Sequence, residues 1–396
     1  MIHLALAACI QVVTAPQPPC QPYAMAPALC PDSAGAWLSW LEPAPVHATA
    51  TSDDVWRLRV SHLNASRSSW SPAITVTQRR NFFVNWADTP QIAVAGDGAL
   101  IVTWLQQSGP GTYAYDIGVA RSTDRGATWT MLGTLNDDRT ETEHGFVSMI
   151  PEGDGVRAIW LDGRAMTGDG HAGEGGGDMA LRTALITDHV GVSSILDPRT
   201  CECCPTALVR VGESACALYR DRGASERRDM SVVRLSEGVW SSPTDVHRDN
   251  WIIAGCPVNG PAAAADGDRV AAAWTSGGAR PGVRVALSSD GGRSFTAPIH
   301  VGTPQALGRP DICWHEGHAW VCWLDDAGEA PVLRWTRLAD DGTPVKIRDL
   351  AGVSAGRQSG FPALAPVGKA VLAIWTSEDP TQGLSAAVLR HSLADP

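Results

Sequence analysis

The chain has 396 residues, 44% of them hydrophobic and 18% charged, which is enough apolar content for a buried core and too little charge for a disordered, solvating sequence. Its formal net charge of -11, with Lys and Arg scattered rather than gathered into a basic stripe, argues against a nucleic-acid partner. No apolar run reaches the ~18 residues of a membrane span, and 40 Gly and 27 Pro against five Phe and four Tyr point to short strands and many turns.

In chain order, Leu6-Ala7-Ala8-Cys9 is similar to a bacterial lipobox, in which Cys9 would carry a lipid. The apolar stretch before it is short and lacks a basic flank, so residues 1–8 read either as a signal remnant or as mature sequence. Ile10-Gln11-Val12-Val13-Thr14 then reads as a strand of the same kind as Ile74-Thr75-Val76-Thr77. From there an apolar strand ending in an aromatic residue recurs at Trp40, Trp104, Trp160, Tyr219, Trp274, Trp323 and Trp375, spaced 49 to 64 residues apart. Six of the seven are preceded by a Pro-initiated strand, at Pro27, Pro90, Pro205, Pro261, Pro310 and Pro362; the third copy has Phe146-Val147-Ser148-Met149 instead. Pro is tolerated at a strand's first residue because no ladder donor is needed there.

After each aromatic come a polar loop, a third strand (Tyr115 to Arg121, Val283 to Ser288), a turn and a fourth strand (Ile74 to Thr77). Four short strands per repeat make a propeller blade. The seventh copy stops after its third strand, over residues 384–393, and residues 10–14 are the unassigned strand that would complete it and leave no free edge. The expected fold is therefore all-β: a seven-bladed propeller of four-stranded antiparallel blades, one domain over residues 9–396, closed by the N-terminal strand. This use of residues 10–14 makes Cys9 the start of a strand and competes with its reading as a lipid anchor.

Two turns between third and fourth strands carry a motif. Ser122-Thr123-Asp124-Arg125-Gly126-Ala127-Thr128-Trp129 and Ser288-Ser289-Asp290-Gly291-Gly292-Arg293-Ser294-Phe295 resemble the Asp box, S-x-D-x-G-x-[ST]-[WF], of the sialidase superfamily of BNR-repeat propellers. Ser122, Asp124, Gly126, Trp129, Ser288, Asp290, Gly292 and Phe295 read as structural: Asp accepts hydrogen bonds across a tight turn, Gly takes positive φ, and the aromatic plugs the blade. Weaker relics stand at Ser66 to Trp70 and Ser236 to Trp240. The resemblance implies an exported, periplasmic or extracellular monomer that takes a glycan or other small ligand.

Antiparallel alternation puts the loop after each aromatic strand and the segment leading into the next blade on one face, opposite the Asp-box turns. Lead-in segments carry Asp88, His144, Cys201-Glu202-Cys203-Cys204, Cys256, Arg309 and Arg357, and the post-aromatic loops add Glu42, Asp162, Arg164, Arg222 and Asp325. Ligand sites in such folds collect where these loops meet the channel, although the same charges also read as a solvated rim. The sialidase resemblance implies an exo-sialidase-type glycoside hydrolase, with Arg164, Arg222, Arg309 and Arg357 as candidates to clamp a substrate carboxylate. It also implies a Tyr nucleophile with Glu and Asp partners, for which Tyr219, Glu202 and Asp88 are the candidates. Tyr219 also reads as a blade-core residue, since Trp fills its place in the other six copies. The Phe-Arg-Ile-Pro segment of sialidases is missing, and seven repeats exceed their six.

The cysteines offer a different chemistry. In extended chain Cys201 and Cys203 face one way and Cys204 the other, and two thiolates joined by Cys256 or His144 could bind Cu or Zn. That reading is a non-enzymatic propeller with a metal-binding or thiol/disulfide site; disulfides from Cys201 or Cys203 to Cys256, or unpaired buried thiols, compete with it. Cys30, Cys216, Cys313 and Cys322 read as small core fillers. Gly168 to Gly173 fits G-x-G-x-x-G without a following helix, which removes the dinucleotide reading; a mobile loop with a calcium option at Asp169, Glu174 and Asp178 remains.

Overall fold

The computed structural model describes residues 9–45, 55–167, 176–326, 328 and 330–392; the signal remnant over residues 1–8 and the glycine loop with Asp169 and Glu174 lie outside them. Seven antiparallel sheets follow one another. Blade 1 comprises Met25–Asp32, Gly35–Pro43, Trp56–Asn64 and Ile74–Arg79, and blade 2 Gln91–Val94, Leu100–Gln107, Tyr115–Ser122 and Thr130–Thr134. Blade 3 comprises His144–Glu152, Gly155–Asp162, Met179–Ile186 and Ser194–Thr200. Blade 4 has Ala207–Val211, Ser214–Arg220 and Met230–Ser236, with its fourth position split between Val239–Trp240 and Thr244–His247. Blade 5 has Ala262–Asp266, Arg269–Ser276, Gly282–Ser288 and Ile299–His300, and blade 6 Gly308–His315, His318–Asp326, Pro331–Arg337 and Arg348–Gly352. Blade 7 joins Ala363–Val367, Ala370–Thr376 and Leu384–Ser392 to Cys9–Thr14 from the other terminus.

The closure has a definite register, with Val12 opposite Leu389 and Thr14 opposite Ala387. First strands of successive blades touch all the way round, the one in blade 7 meeting that of blade 1. They line a central cavity of about 510 Å³ whose walls are largely Pro, Ala and Leu. Second strands are clamped between neighbouring blades, so they read as continuous apolar runs: Gly35–Pro43 and Ala370–Thr376 are buried at every residue.

The recurrent aromatic owes its place to a hydrogen bond as well as to apolar burial. Indole Nε1 of Trp40 donates to Glu42 at 2.8 Å, of Trp160 to Asp162 at 2.9 Å, of Trp323 to Asp325 at 2.9 Å and of Trp104 to Gln106 at 3.3 Å. Blade 5 has Ser276 at the acid's place and takes Asp249 instead, 2.7 Å from Trp274. Glu42, Asp162 and Asp325, expected among the ions of the channel face, are thus buried partners of the blade core. A buried indole N–H left without a partner is costly, which accounts for an acid two residues on.

Both motif turns close as their chemistry requires. Ser122 Oγ donates to Asp124 at 2.8 Å, and Asp124 accepts from Thr128 N at 2.9 Å and from Thr128 Oγ1 at 2.6 Å. Ser288, Asp290 and Ser294 repeat these bonds at 2.8, 2.9 and 2.6 Å. Gly126 and Gly292 take φ of 87° and 74°. The hydrogen bonds from Thr128 hold the Asp124 carboxyl at about 2.

The first strands of blades 1, 3 and 6 are not simple Pro-started strands. Each opens with a bulge at a positive-φ residue, Ala26, Phe146 or Arg309. The freed N–H at the bulge can be taken by the preceding blade: Phe146 N donates to Asp88 Oδ2 at 2.7 Å and Arg309 N to Asn259 Oδ1 at 2.7 Å.

Candidate functional site

The lead-in to blade 4 leaves Thr200, bonds Cys201 N to the Arg220 carbonyl at 3.0 Å, and turns at Glu202 and Cys203 before Ala207. That turn overrides the extended alternation expected for the segment. Cys204, expected on the opposite side, comes back to the others: the Sγ atoms of Cys201, Cys203 and Cys204 all lie within 4.8 Å of one another, Cys201 and Cys204 at 3.4 Å. The three residues are 1%, 7% and 2% exposed. Cys256, on the lead-in to blade 5, packs against the same buried cluster. All nine described cysteines are free in this structure, so neither Cys201 nor Cys203 is bridged to Cys256 in it.

Buried charge surrounds the thiols. Arg228 Nη1 donates to Cys201 Sγ at 3.1 Å and to Glu202 Oε2 at 2.6 Å, and its Nη2 reaches Glu226 at 2.8 Å. Arg222 holds the other oxygen of Glu202 and also bonds Glu226. Arg220 braces the region through carbonyls, donating to Arg228 O at 2.7 Å and Thr275 O at 2.8 Å, and stacks over Trp251 at 4.8 Å. Burial alone would raise the Cys201 thiol, but hydrogen bonds from Cys203 and Cys204 and the charges of Arg228 and Arg220 outweigh it and hold Cys201 well below the ordinary thiol range. Cys203 is pushed up by its hydrogen bonds to Cys201 and Cys204, and Cys204 by burial and its bond to Cys201. Cys201 Sγ thus sits beside a buried guanidinium donor, the setting that favours a thiolate.

A second buried group adjoins it. Tyr115 OH donates to Glu143 Oε1 at 2.7 Å, while Glu143 Oε2 is buried without a partner. Burial, then the nearby charges of Glu202 and Cys201, raise Glu143 from 4.5 to about 7 against the lowering effect of the Tyr115 bond. Asp88, raised by burial, sits against the same group across Gly145, where a Cβ would stand 1.9 Å from Asp88 Oδ2 and 3.4 Å from the Tyr115 ring.

The sequence-derived candidates separate on this frame. His144 stands with carboxylates, not with the thiols: Nε2 faces Asp138 at 3.1 Å, and Nδ1 faces the Tyr115 and Thr142 carbonyls at 3.1 and 3.0 Å. Asp138, His144 and Asp162 form a second group whose ligand atoms lie within 4.8 Å of one another, so His144 belongs to a carboxylate group and not to the thiol cluster. Tyr219 is fully buried and bonds Asp197 at 2.5 Å; Asp88 bonds Phe146; Glu202 lies between Arg222 and Arg228. Each of the three has its own partners, and none bonds another. Of the arginines, Arg164 pairs with Asp162 and Asp137 at 2.6 and 2.8 Å, and Arg309 donates to Ser359 Oγ at 2.6 Å and stacks over Trp86 at 4.4 Å. Arg357, in a short 3-10 helix, is exposed. Sequence reasoning missed Arg228, Glu226, Tyr115 and Glu143; the only signal for the first two was the dense run from Arg220 to Asp229.

The fold and the site define a seven-bladed propeller with a buried thiol cluster on its lead-in face. At the level of sequence, no family model and no curated protein matches the chain. Solved structures do match in fold. An ulvan lyase of a polysaccharide lyase family, bound to -[GlcA(1-4)Rha3S]-, has a TM-score of 0.56 at 12% identity over 96% of each chain. A protein of unknown function from Dyadobacter fermentans has a TM-score of 0.52 at 14% identity, over 96% of this chain and 98% of its own. The NanB sialidase from Streptococcus pneumoniae has a TM-score of 0.44 at 10% identity, over 96% and 70%. The chain thus shares, at low identity, a fold used by carbohydrate-active enzymes, and the likeness is one of fold.

Proposed function

We propose that this protein is a non-enzymatic propeller that binds Cu(I) at Cys201, Cys203 and Cys204. The observation that carries the reading is the gathering of three buried thiol sulfurs within 4.8 Å of one another. A metal–sulfur bond of about 2.3 Å in a three-coordinate site would set sulfur–sulfur edges of about 4.0 Å, so the 3.4 Å between Cys201 and Cys204 would open by about half an ångström. Thiolates select Cu(I) and Zn among biological metals. Structural zinc is almost always four-coordinate, whereas the group contains three residues among those described, and a three-sulfur set suits Cu(I). Arg228 supports the thiolate form of Cys201, and binding would displace the protons of Cys203 and Cys204.

The test is an anaerobic Cu(I) titration of reduced protein against a competing chelator. One Cu(I) per chain is expected, lost when Cys201, Cys203 and Cys204 are all replaced by Ser, with Zn bound more weakly. Failure to compete for Cu(I), or binding unchanged in the triple variant, would overturn the proposal.

A second reading is glycan binding at the channel mouth. It is supported by the fold shared with the ulvan lyase and by Phe361, which lines the central cavity and stacks on Trp86 with ring centroids 6.0 Å apart. Binding to a panel of sialosides and anionic glycans tests it, and a panel without a single binder removes it.

A further inference from the structure

We infer that Asp138, His144 and Asp162 form a second metal site, for a divalent ion of the zinc type, separate from the thiol cluster. One oxygen of each carboxylate and one nitrogen of the imidazole lie within 4.8 Å of one another. His144 Nε2 is 3.1 Å from Asp138 Oδ2 and 3.9 Å from Asp162 Oδ1. A tetrahedral ion with bonds of about 2.1 Å sets its ligand atoms about 3.4 Å apart, so these two edges need shift by about half an ångström or less. The register brings the ligands together from two blades: His144 opens the first strand of blade 3, Asp162 ends the second directly opposite it, and Asp138 lies on the segment leaving blade 2.

The surroundings hold each ligand in place. His144 Nδ1 is directed at two backbone carbonyls, of Tyr115 at 3.1 Å and Thr142 at 3.0 Å, so in the neutral ring it carries the proton. The Nε2 lone pair then faces two buried carboxylates, an arrangement that requires a cation between them. A ring N–H given to a backbone carbonyl is also the usual support of a metal-binding histidine. Asp138 is braced by Asn136 Nδ2 at 3.2 Å and Thr140 N at 3.3 Å. Asp162 Oδ2 takes Trp160 Nε1 at 2.9 Å, and Arg164 holds both oxygens of Asp162 from the solvent side at 2.6 and 2.8 Å. Three carboxylates, Asp137 included, face this one guanidinium, an excess of two negative charges that a divalent ion cancels. The donor set selects the ion. Mg and Ca prefer oxygen alone and Cu(I) prefers sulfur, whereas zinc accepts imidazole and carboxylate together, with a water in the fourth place. The ion would tie the crossing between blades 2 and 3.

The experiment is a Zn2+ titration against a chromophoric chelator, on the full chain with Cys201, Cys203 and Cys204 all replaced by Ser so that thiols do not compete. One Zn2+ per chain is expected, with a Tm that rises as the ion is added; adding Asp138→Asn or His144→Gln should abolish both. Should the triple variant fail to fold, Co2+ on the parent chain reads the same site. The difference spectrum between the parent and His144→Gln should show visible d–d bands without a thiolate-to-cobalt charge-transfer band. No Zn2+ uptake by the folded triple variant, uptake unchanged by His144→Gln, or a flat Co2+ difference spectrum overturns the inference, and the cation between the carboxylates is then a proton on Nε2. None of these results bears on the Cu(I) reading, whose ligands are removed from the titration and cancel in the difference spectrum.

Discussion

Glu143→Gln separates a buried acid's proton from its packing. The variant keeps an acceptor for Tyr115 OH, which now meets Glu143 Oε1 at 2.7 Å, and removes the ionisable group. In the parent, burial first and then the charges of Glu202 and Cys201 raise this carboxyl from 4.5 to about 7. A raised folded-state value means that the native chain binds more protons than the unfolded chain between those pH values, so stability is full below about 4.5 and falls as pH rises to about 7. At about 1.4 kcal/mol per pH unit the loss is about 3 kcal/mol. The Gln amide adds a buried N–H2 beside the unpartnered Oε2 position, a constant cost of about 1–3 kcal/mol at every pH. The diagnostic quantity is therefore the slope. From pH 5 to 8 the variant should gain about 3 kcal/mol relative to the parent. With an unfolding entropy of about 2.1 cal/mol/K per residue over 396 residues, that is about 3–4 °C in relative Tm. Paired thermal melts in one buffer series measure it. Parallel Tm profiles would show that Glu143 is ionised throughout and would refute the reasoning.

Asp325→Ala removes the acceptor for Trp323 Nε1, for Thr303 N and for Arg334, so urea unfolding should show a loss of about 3 kcal/mol or more. Gly118→Ala would place a Cβ 2.4 Å from the Trp104 ring, and the overpacking should cost about 1–3 kcal/mol in the same assay. Deleting residues 1–16 removes the strand paired with Leu384–Ser392, the buried Ala15 and the Pro16 carbonyl that accepts from Trp70 at 2.9 Å. The truncated chain should melt several degrees lower and aggregate through the bared edge; an unchanged Tm would show that blade 7 does not need this strand.

The propeller was legible in the sequence because its determinants are local and repeat. An aromatic at each second strand's end, Pro at the start of six first strands, and two Ser-x-Asp-x-Gly turns each act within a few residues, and the strand missing from the seventh copy pointed to the other terminus. The acid two residues after Trp40, Trp160 and Trp323 was visible as a charge but not as a partner. Alternation along a strand puts i and i+2 on one side, yet nothing in the sequence says whether that side is closed by the next blade. In the structure it is, and Glu42, Asp162 and Asp325 became core residues.

The thiol site was legible in composition and misjudged in geometry. Cys201, Cys203 and Cys204 stand close in sequence, but whether their sulfurs meet depends on the backbone at Glu202 and Cys203, which the extended reading sent the wrong way. What bends the chain there is non-local: Glu202 is drawn between Arg222 and Arg228, and the Cys201 amide is taken by the Arg220 carbonyl. Those arginines lie at the end of the blade's second strand and in the loop to its third, about 20 residues or more downstream, and no periodicity links them to the cysteines. The same guanidinium that fixes Glu202 donates to Cys201 Sγ, so one residue, Arg228, both folds the turn and favours its thiolate. His144 went astray for the converse reason: its place at the start of blade 3 was foreseen correctly, but its ring faces Asp138, Asp162 and two carbonyls rather than the thiols. Proximity along the chain found the ligands; their availability was decided by hydrogen bonds that close between blades.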